Sequence, residues 1–356
     1  MTTERVQVGI LGATGMVGQE FVSFLRDHPW FDLAWLGASD RSAGKVYQEA
    51  TTWRLGGETP AYVRDVVVSE SKPHGLNQAR APRLLFSAMD ASVATEIEQA
   101  FASAGHIIVS NSRNHRMDAD VPLLVPEINA DHLGLIPDQQ RKRGWKGQIV
   151  TNPNCSTIVL VMALAPLKQF GIERVIVTTM QAISGAGYPG VASMDINANV
   201  IPFIGGEEDK MQQETQKILG DFTGAAVEPL AAKVSAHCNR VPVVDGHTIT
   251  VSIEFTKKPS EEEILRAWRG WRGIPQQKSL PSAPPCPVIY MREQDRPQPR
   301  RDVERENGMA VFTGRLRKCP VLDYKFVALG HNTVRGAAGA AVLNAEVMKV
   351  EGYLDR

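Results

Sequence analysis

Short apolar runs alternate with glycine turns and amphipathic stretches along the first part of the chain. Residues 6–11 (VQVGIL) are largely apolar and predict a buried strand, and residues 32–39 (DLAWLGAS) predict a second one. Between them lie a glycine-rich turn and the segment QEFVSFLRDHP, whose apolar residues follow helical spacing until Pro29 ends the pattern. Strand, turn, helix and strand in this order form a βαβ unit, which is how a doubly wound parallel sheet begins.

The same alternation continues as far as residue 150. Further apolar runs lie near Val67 and end at Met89 and Asn111, and the segment between the last two, ASVATEIEQAFASAG, predicts a helix. Residues 137–148 (PDQQRKRGWKGQ) are polar and basic, so they are predicted to be a solvated surface segment. The first part of the chain is therefore expected to form one α/β domain.

The remaining chain predicts a second sheet of longer strands. After the segment QIVTNPNCSTIVLVMALAPL, which combines a strand, a tight turn and a long apolar helix, come three strand-like segments: RVIVTTMQAIS, NRVPVVDGHTITVSIEF and MAVFTGRLRK. Alternation in the second of these places Ile249, Val251, Ile253 and Phe255 on one face of a sheet, whose other face meets solvent or an interface. Residues 275–302 are rich in proline and predict an irregular surface or interface segment.

Two helices complete this part of the chain. PSEEEILRAWRGW predicts a helix with Ser260 as its cap and acidic residues in its first turn. The last segment, HNTVRGAAGAAVLNAEVMKVEGYL, predicts a helix whose small residues allow close packing, and this helix is expected to return to the first domain. The predicted division is therefore residues 1–150 with 332–356 in one domain, and residues 151–331 in the other.

Composition narrows the classes of protein to which the chain can belong. It has 356 residues and a mass of 39.0 kDa, with 43% hydrophobic and 22% charged residues, as expected of a globular protein with two domains. Because 39 Lys and Arg balance 39 Asp and Glu, no net field attracts nucleic acid or an anionic membrane, and any anion needs a local cationic cluster. The N-terminus lacks the layout of a signal peptide and no run reaches ~18 apolar residues, so a cytoplasmic protein without membrane or nucleic-acid partners is expected.

Gly12, Gly15 and Gly18 form a GxxGxxG pattern at the first predicted strand-to-helix turn. Glycine lets the backbone approach a pyrophosphate closely, and the helix N-terminus offers N–H groups and the positive end of the helix dipole. Because a strand precedes the pattern and a helix follows it, the turn predicts a dinucleotide site. The alternative is a tight glycine turn that binds nothing.

The end of the second predicted strand favours NADP over NAD. An acidic residue at this place usually holds the ribose hydroxyls of NAD, whereas a cation nearby accommodates the 2′-phosphate of NADP. Here Ser39, Arg41 and Ser42 offer hydroxyls and a cation. Asp40 argues the other way, although Arg41 directly follows it and partly neutralises its charge.

Cys155 is the candidate nucleophile. It stands in TNPNCST directly before an apolar helix, and a thiol at a helix N-terminus has its pKa lowered from ~8.5 toward roughly 3.5–7.5. The other cysteines, Cys238, Cys286 and Cys319, are interpreted as small buried hydrophobic residues. None of the four belongs to a CxxC pair, so neither a zinc ribbon nor a disulfide scaffold is indicated, and no metal site is predicted.

Polar residues in two later segments are candidates for the chemistry around this thiol. Gln181 precedes the glycine-containing loop 184–187 (SGAG) and can orient a carbonyl group or line an oxyanion site, although the loop alone is only a turn. Glu207 and Lys210 are three residues apart and therefore share one face of a predicted helix. In isolation, such a charged run is more often a solvated helix start.

A histidine near an arginine completes the set of candidates. Arg240 lies on a predicted strand, and His247 follows Gly246, which breaks that strand. A histidine after a flexible break is well placed to act as acid or base beside a thiol. His237 is the nearest competitor for this role.

Taken together, these segments resemble the aspartate-β-semialdehyde dehydrogenase family, in particular its archaeal and fungal-like branch. The resemblance covers nearly the whole chain and depends on several ordered, specific motifs. They are GATGMVG, ASDRSAGK, SNSRNHRMDADVPLLVPEIN, TNPNCST, QAISGAGYPG, IPFIGGEEDK, CNRVPVVDGHT, GRLRKC and HNTVRGAAGAA.

The resemblance implies a Rossmann-type, doubly wound, NADP-binding domain and a second α/β (α+β) domain for catalysis and dimerisation, in a homodimer or homotetramer. It implies NADPH-dependent reductive dephosphorylation of L-aspartyl 4-phosphate to L-aspartate 4-semialdehyde through a cysteine thioester. The partners so implied are a small-molecule substrate and phosphate. This step belongs to the aspartate pathway to lysine, threonine and methionine.

The resemblance also assigns roles to individual residues. Cys155 is implied to be the nucleophile, His247 the acid/base, and Gln181 the residue that orients the acyl group. The implied substrate-binding residues are Arg240 for the carboxylate, Glu207 for the ammonium group, and Lys210, Arg116 and Asn154 for the phosphate. The implied cofactor-binding residues are Gly12, Thr14, Gly15, Met16, Val17, Ser39, Arg41, Ser42, Ser184, Gly185, Gly187 and Asn332. Arg116 is matched in preference to Arg113 because it directly precedes the Met-Asp pair, as in the family.

Four other functions are weighed against this one. A malonyl-CoA reductase of the same branch would accept a bulky thioester without an ammonium group, whereas NPNCST and EEDK favour the aspartyl substrate. An N-acetyl-γ-glutamyl-phosphate reductase uses the same chemistry, but the long match at SNSRNHRMDADVPLLVPEIN argues against it. A cysteine hydrolase without a redox step does not need the glycine turn. A non-catalytic NADP-binding sensor does not need both Cys155 and His247.

Overall fold

The computed structural model describes residues 5–72 and 81–355, in which two six-stranded sheets form the framework. The strands of the first sheet are β1 (Val6–Leu11), β2 (Phe31–Ala38), β3 (Ser69–Glu70), β4 (Leu84–Ser87), β5 (Ile107–Ser110) and β6 (Gln148–Thr151). All of them pair in parallel, in the order β3-β2-β1-β4-β5-β6. This is the doubly wound order of the Rossmann type, and the predicted class of the first sheet is confirmed.

The strand order of this sheet reverses at β1, which lies between β2 and β4. Ligands of doubly wound sheets bind at such a switch point, beyond the carboxyl ends of the strands. The glycine turn begins there, because Gly12 directly follows β1. The backbone N–H groups of Gly12 and Ala13 both donate to the carbonyl oxygen of Gly37 on β2, at 2.9 Å. These two hydrogen bonds fix the turn at the edge of the sheet where a ligand is expected.

Helices cover both sheets. The helices of at least two turns are α1 (Met16–Phe24), α2 (Ala91–Ser103), α3 (Ile136–Arg143), α4 (Cys155–Leu164), α5 (Glu207–Ile218), α6 (Glu261–Gly270) and α7 (Gly339–Val350). Single α-turns are formed by Tyr47–Ala50, Ala61–Arg64, Pro126–Asn129, Ser193–Ile196, Ile274–Gln277 and Pro299–Asp302. The 3₁₀ segments are Ala130–Leu135, Ala165–Phe170, Ile183–Ala186 and Arg305–Gly308, and Val334–Ala338 is a π-helical turn.

The C-terminal helix α7 packs in the core of the first sheet. Ala341, Val342 and Val347 are completely buried in the same hydrophobic cluster as Val8 and Phe86. Small side chains let the helix approach the strands closely, as the sequence predicts. The division into domains at residues 150 and 331 stays a prediction, and residues 1–4, 73–80 and 356 of the predicted first domain lie outside the described residues.

The second sheet is mixed, with the order β10-β7-β11-β14-β13-β12. Its strands are β7 (Ile172–Gln181), β10 (Lys233–Arg240), β11 (His247–Phe255), β12 (Val288–Met291), β13 (Val311–Lys318) and β14 (Tyr324–Gly330), and β8 (Asp221–Phe222) pairs separately with β9 (Val227–Glu228). The alternating residues of β11, namely Ile249, Val251, Ile253 and Phe255, are all buried. They share a core with residues of α4 and α6, which lie on this face of the sheet. The predicted second α/β domain is therefore confirmed in its fold class.

Two predicted segments differ from the structure. Most of residues 137–148 belong to α3, in which Gln139 is buried and bonds both the N–H (2.7 Å) and the carbonyl oxygen (2.9 Å) of Ile149. In the sequence, Gln139 has the polarity of a surface residue, but its side chain satisfies the backbone of a buried strand. The prediction that residues 137–148 are solvated was therefore wrong in part. Within the proline-rich residues 275–302, β12 pairs in parallel with β13 and forms an edge of the second sheet.

Two further boundaries were less exact. The strand expected near Val67 pairs with β2 only at Ser69–Glu70. The long segment that contains Arg240 and His247 is divided into β10 and β11 by residues 241–246. Ser260 caps α6 as predicted, since its hydroxyl accepts the N–H of Glu263 at 3.3 Å. In the described parts of the chain, no helix is long and apolar enough to cross a membrane.

Candidate active site

Cys155 and His247 meet in a direct contact. The Sγ atom of Cys155 lies 3.1 Å from Nε2 of His247. Cys155 is the first residue of α4, which follows β6 of the first sheet, and His247 is the first residue of β11 in the second sheet. The competing His237 is exposed on β10 and takes no part in this contact. The structure thus brings together the predicted nucleophile and its predicted acid/base.

The start of α4 explains why the sulfur has a fixed position. The side-chain oxygen of Asn154 accepts the N–H groups of Ser156 (2.9 Å) and Thr157 (3.2 Å), which is the hydrogen bonding of an N-cap. On the other side, Gly336 lies against the nucleophile in the π-helical turn. A Cβ atom added to Gly336 would be 2.7 Å from the Cβ atom of Cys155. Gly336 is a residue that sequence reasoning missed.

The thiol does not have the lowered pKa that the sequence predicts. Burial and, to a smaller extent, the negative charge of Glu207 raise the pKa of the Cys155 thiol to about 12, although Arg116 and Arg240 act in the opposite direction. Desolvation of a thiolate disfavours the charged form more than the end of one helix favours it. The prediction of a lowered thiol pKa at Cys155 is therefore wrong.

His247 is held by the backbone and kept neutral. The N–H of Ala182 donates to Nδ1 at 3.1 Å, so that Nε2 faces the sulfur. Burial lowers the pKa of His247 to about 3, and the charge of Arg240 contributes in the same direction. Gly185 leaves space for the ring, because a Cβ atom added there would lie 3.0 Å from Cε1 of His247.

Glu207 is the centre of a buried hydrogen-bond network beside this pair. Its carboxylate accepts from Lys210 Nζ (2.7 Å), Asn154 Nδ2 (2.7 Å) and Gln181 Nε2 (3.3 Å). Burial opposes the charge, but these donors together lower the pKa of the Glu207 carboxyl. Four of the predicted site residues are therefore in one network, and the charged run at the start of α5 is not an ordinary solvated helix start.

Two arginines approach the same region from different elements. Arg240, at the end of β10, donates from Nη1 to the carbonyl oxygen of Ala182 at 2.7 Å, and burial lowers the pKa of its guanidinium. Arg116 donates to Glu214 (3.1 Å) and to the carbonyl oxygen of Asn111 (2.8 Å). Its buried Nε–H has no hydrogen-bond partner among the described residues. Both cations are buried within a centre that also contains Glu207, so the local cationic cluster expected for an anion is present.

Sequence reasoning also missed two residues on the far part of α5. Glu214 is buried and bonds Arg116 and the backbone N–H of Asn154. Lys217 donates to three backbone carbonyl oxygens in the loop after β5, and burial lowers the pKa of its ammonium group to about 8. The spacing of Glu207, Lys210, Glu214 and Lys217 along one helix face was the pattern that could have revealed them.

A cleft of about 820 Å³ lies at the switch point of the first sheet. Gly12 has a φ of +80°, and a Cβ atom there would lie 2.7 Å from the carbonyl oxygen of Ala88, so the turn requires glycine. Gly15 is the N-cap of α1 and offers no side chain, which leaves the first N–H groups of the helix open toward the cleft. This is the geometry that binds a pyrophosphate. A dinucleotide therefore fits the residues present.

Most of the predicted cofactor residues line this cleft. They are Gly12, Thr14, Gly15, Met16, Val17, Ser39, Arg41 and Gly187. Ser42 does not line it, and belongs to the turn after β2, where its N–H donates to the carbonyl oxygen of Ser39 at 3.0 Å. Ser184 and Asn332 lie apart from it and bond each other at 2.8 Å. Gly185 packs on Arg240 and His247 instead.

The far end of the cleft suits an additional phosphate. Within residues 5–72 and 81–355, the guanidinium of Arg41 has no hydrogen-bond or ion-pair partner, and Asp40 bonds only the backbone N–H of Arg41, at 2.8 Å. Sequence reasoning missed Arg54 and Tyr188, which also line the cleft. The Arg54 guanidinium lies 3.6 Å from the centre of the Tyr188 ring, a contact between two segments that no motif predicts.

Comparison with known proteins finds families and relatives that this chain resembles. Two family models match the chain: "Semialdehyde dehydrogenase, NAD binding domain" over residues 7–136, and "Semialdehyde dehydrogenase, dimerisation domain" over residues 164–335. Together they span most of both sheets. The second match accords with the expectation of a homo-oligomer.

Relatives and solved structures agree with these matches. The aspartate-semialdehyde dehydrogenase of Archaeoglobus fulgidus is 49% identical over 97% of this chain and 98% of its own length. The enzyme of Cryptococcus neoformans is 47% identical over 98% of each chain. A crystal structure of aspartate semialdehyde dehydrogenase with NADP from Candida albicans superposes with a TM-score of 0.89, at 42% identity, and covers 98% of this chain and 99% of that one.

Proposed function

This chain belongs to the aspartate-semialdehyde dehydrogenase family, and we propose that it reduces L-aspartyl 4-phosphate to L-aspartate 4-semialdehyde with NADPH and releases phosphate. The observation that carries the proposal is the 3.1 Å contact between Cys155 and His247 beside the buried network of Glu207. A thiol next to an imidazole is the arrangement of a cysteine nucleophile. The archaeal and fungal relatives favour this activity over that of a malonyl-CoA reductase.

The first chemical step is acyl transfer to sulfur. The Sγ atom of Cys155 attacks the acyl carbon of the substrate as the thiolate, the bond from that carbon to the phosphate oxygen breaks, and phosphate leaves. The product of this step is an aspartyl thioester on Cys155. Since burial raises the pKa of the thiol, we propose that the thiol gives up its proton only when substrate is bound, and that the departing phosphate takes up this proton as hydrogen phosphate.

Charged groups of the site match the charges of the substrate. Arg240 can bind the substrate carboxylate through two parallel hydrogen bonds, and Glu207 can accept its ammonium group. For the leaving phosphate we propose Lys210, Asn154 and the buried Nε–H of Arg116, which has no partner among the described residues. Lys210 and Asn154 bond Glu207 in the absence of substrate, so each must share or exchange that contact when the ligands enter.

The cofactor is proposed to bind across the cleft at the glycine turn. NADPH, when bound, supplies the hydride that reduces the thioester. The first N–H groups of α1 would hold its pyrophosphate, and Ser39, Arg41 and Ser42 its 2′-phosphate. Ser184, Gly185 and Asn332 would lie toward the nicotinamide, next to His247 and Arg240. The relative solved with NADP supports this choice of cofactor.

His247 is proposed to manage the proton at the reacting atoms. Its Nδ1 accepts from the backbone, so its Nε2 can share a proton with the sulfur and with the oxygen of the thiohemiacetal. Gln181, which donates to Glu207 in the buried network, would orient the acyl oxygen. When the thiohemiacetal collapses, the bond from carbon to sulfur breaks and the aldehyde leaves.

We further propose that this reaction serves the aspartate pathway to lysine, threonine and methionine. A cytoplasmic homodimer or homotetramer is the expected form, in line with the match to a dimerisation domain. Both statements depend on the family and on the reaction proposed above.

The test of this function is the reverse reaction. Aspartate semialdehyde, NADP⁺ and phosphate should give NADPH, followed by its absorbance, while NAD⁺ in place of NADP⁺ should react much more slowly. Malonate semialdehyde with CoA should give no signal, since that pair would indicate the malonyl-CoA reductase. Silence with both pairs would contradict the proposal and favour a hydrolase or an NADP-binding sensor.

A further inference from the structure

One face of α5 contains charged residues at positions 207, 210, 214 and 217. Spacings of three and four residues place them side by side along the helix. The proposed function uses the first two as substrate-binding residues. The other two, Glu214 and Lys217, are also buried, although nothing in that function accounts for a buried carboxylate and a buried ammonium group.

Glu214 joins two segments that are far apart in the chain. Its Oε1 atom accepts a hydrogen bond from Arg116 Nη1 at 3.1 Å, and its Oε2 atom accepts one from the backbone N–H of Asn154 at 2.6 Å. Arg116 belongs to the loop after β5, and Asn154 directly precedes the nucleophile. One carboxylate therefore holds the predicted phosphate-binding arginine and the turn of Cys155 together.

These contacts leave one nitrogen of the Arg116 guanidinium without a partner in the described residues. Glu214 engages Nη1, the carbonyl oxygen of Asn111 engages Nη2 at 2.8 Å, and the buried Nε–H has no partner in the described residues. A buried donor without a partner is destabilising, so a ligand that accepts from it is favoured. The Glu214 carboxylate thus holds the guanidinium so that Nε is its one nitrogen without a hydrogen-bond partner in the described residues, and its N–H can be donated to an anion.

Lys217 fixes the same loop from its backbone. Its Nζ atom donates to the carbonyl oxygens of Arg116 (2.8 Å), Asp118 (2.8 Å) and Val121 (2.9 Å). The side chain and the backbone of Arg116 are therefore both bound by α5. The same helix also contains Glu207 and Lys210, so a shift of α5 would move both groups of substrate contacts at once.

We propose that Glu214 is a positioning residue, which holds Arg116 and the backbone of Asn154 in the relative position that phosphate binding beside Cys155 requires. The inference rests on the proposed function for the identity of the anion. It goes beyond that function, because it assigns a role to a residue that touches neither substrate nor cofactor. Removal of its charge should weaken phosphate binding before it affects the cofactor cleft.

The test variant is Glu214→Gln, which keeps the size of the side chain. Its amide offers an N–H group to one of two neighbours that are themselves donors, Arg116 Nη1 or the N–H of Asn154, so one hydrogen bond is lost. In the phosphate-dependent oxidation, we expect KM for phosphate to rise at least about tenfold, which corresponds to 1.4 kcal/mol. The affinity for NADPH, measured by fluorescence titration, should stay within twofold of the native protein.

Two other variants serve as controls. Asp209→Asn removes the same charge from an exposed residue of α5 and should leave KM for phosphate unchanged. Glu214→Asp keeps the charge on a shorter side chain and should restore part of the phosphate affinity. Circular dichroism and thermal unfolding establish that each variant is folded.

A second readout does not need turnover. Inorganic phosphate should slow the alkylation of Cys155 by iodoacetamide, and the concentration for half protection should rise at least about tenfold in Glu214→Gln. If the native protein lacks the proposed activity but this shift is present, the proposed function fails and Glu214 still positions an anion site. An unchanged KM and an unchanged midpoint would overturn the inference. A loss of NADPH binding together with phosphate binding would also overturn it, since Glu214 would then act only on the fold.

Discussion

The proposed catalytic centre around Cys155 and the proposed cofactor cleft are built by opposite means. Around Cys155, the polar groups are buried side chains that already bond one another, and Glu207 alone accepts from three of them. In the cleft, the main features are the glycine turn at Gly12 and the open N-terminus of α1, with the guanidinium of Arg41, which is unpaired among the described residues, at the far end. The side chains around Glu207 are therefore already bonded to one another, with the Nε–H of Arg116 as a donor that has no partner among the described residues, whereas the cleft is lined by open donors.

This difference determines how many neighbouring groups a substitution affects in each region. In the catalytic centre, substrate must join or exchange existing hydrogen bonds, so the loss of one partner leaves another buried group unsatisfied. In the cleft, each backbone group or side chain contacts the ligand on its own. We expect substitutions in the centre to abolish turnover and leave cofactor binding intact, and substitutions in the cleft to do the reverse.

The strongest test of this separation is Cys155→Ala. Because the proposed thioester forms on the Cys155 sulfur, kcat/KM should fall by at least about 10⁴-fold. NADPH should still bind with native affinity in a fluorescence titration. Cys286→Ala, which changes a half-buried thiol beside Arg272, is the control and should remain active. Turnover by Cys155→Ala would disprove the nucleophile, and loss of NADPH binding would disprove the separation of the two regions.

The raised pKa of the Cys155 thiol offers a second test of whether the centre is a closed, buried network. With a pKa of about 12 for Cys155, the thiolate fraction rises tenfold with each pH unit below that value. The rate constant for alkylation by iodoacetamide should therefore increase about a thousandfold from pH 7 to pH 10, after correction for free cysteine. A plateau reached by pH 8 would contradict the raised pKa and restore the prediction from the helix terminus.

A steric change beside the nucleophile should have the next largest effect. Gly336→Ala places a methyl group 2.7 Å from the Cβ atom of Cys155, so the thiol must move. Misplacement of the reacting sulfur should lower kcat by about 10²-fold. Gly270→Ala is the matched control, because a Cβ atom there would meet nothing within 4 Å. Equal activity of the two variants would show that the position of the sulfur is not critical.

The smallest of these effects is expected in the cleft. Arg41→Ala should raise KM for NADPH by about 10–100-fold, the cost of one charge-assisted contact, and should leave KM for NADH and kcat almost unchanged. Arg64→Ala, which removes another arginine outside the cleft, is the control. An equal rise in KM for both cofactors would place Arg41 away from the 2′-phosphate.

The contrast between the region around Cys155 and the cleft also explains which features the sequence predicts well. The strand β1, the glycine turn, α1 and β2 follow one another within residues 6–38, so local periodicity and one glycine pattern are sufficient to predict the first strands and the cleft. Cys155 is likewise predicted from a single turn before an apolar helix. His247, which contacts Cys155 and lies 92 residues away in the chain, was chosen over His237 only through the resemblance to a family.

Features that depend on long-range packing were missed or mistaken. The thiol pKa follows from burial by several elements, which a helix terminus in the sequence does not reveal. Gln139 appears solvated in a polar run, although it is buried against Ile149. Gly336 has no local pattern of its own, and the charged helix face that contains Glu214 does not reveal which residues Glu214 contacts. Sequence reasoning therefore named the proposed reacting groups and missed residues that contact them.

The most direct test of the account is a measurement of the acyl-enzyme. Native protein mixed with L-aspartyl 4-phosphate in the absence of NADPH should gain the mass of one aspartyl group in intact-protein mass spectrometry, and peptide mapping should place it on Cys155. The adduct should disappear with hydroxylamine and be absent in Cys155→Ala. No adduct on the native protein, or an adduct on another residue, would contradict the proposed thioester chemistry.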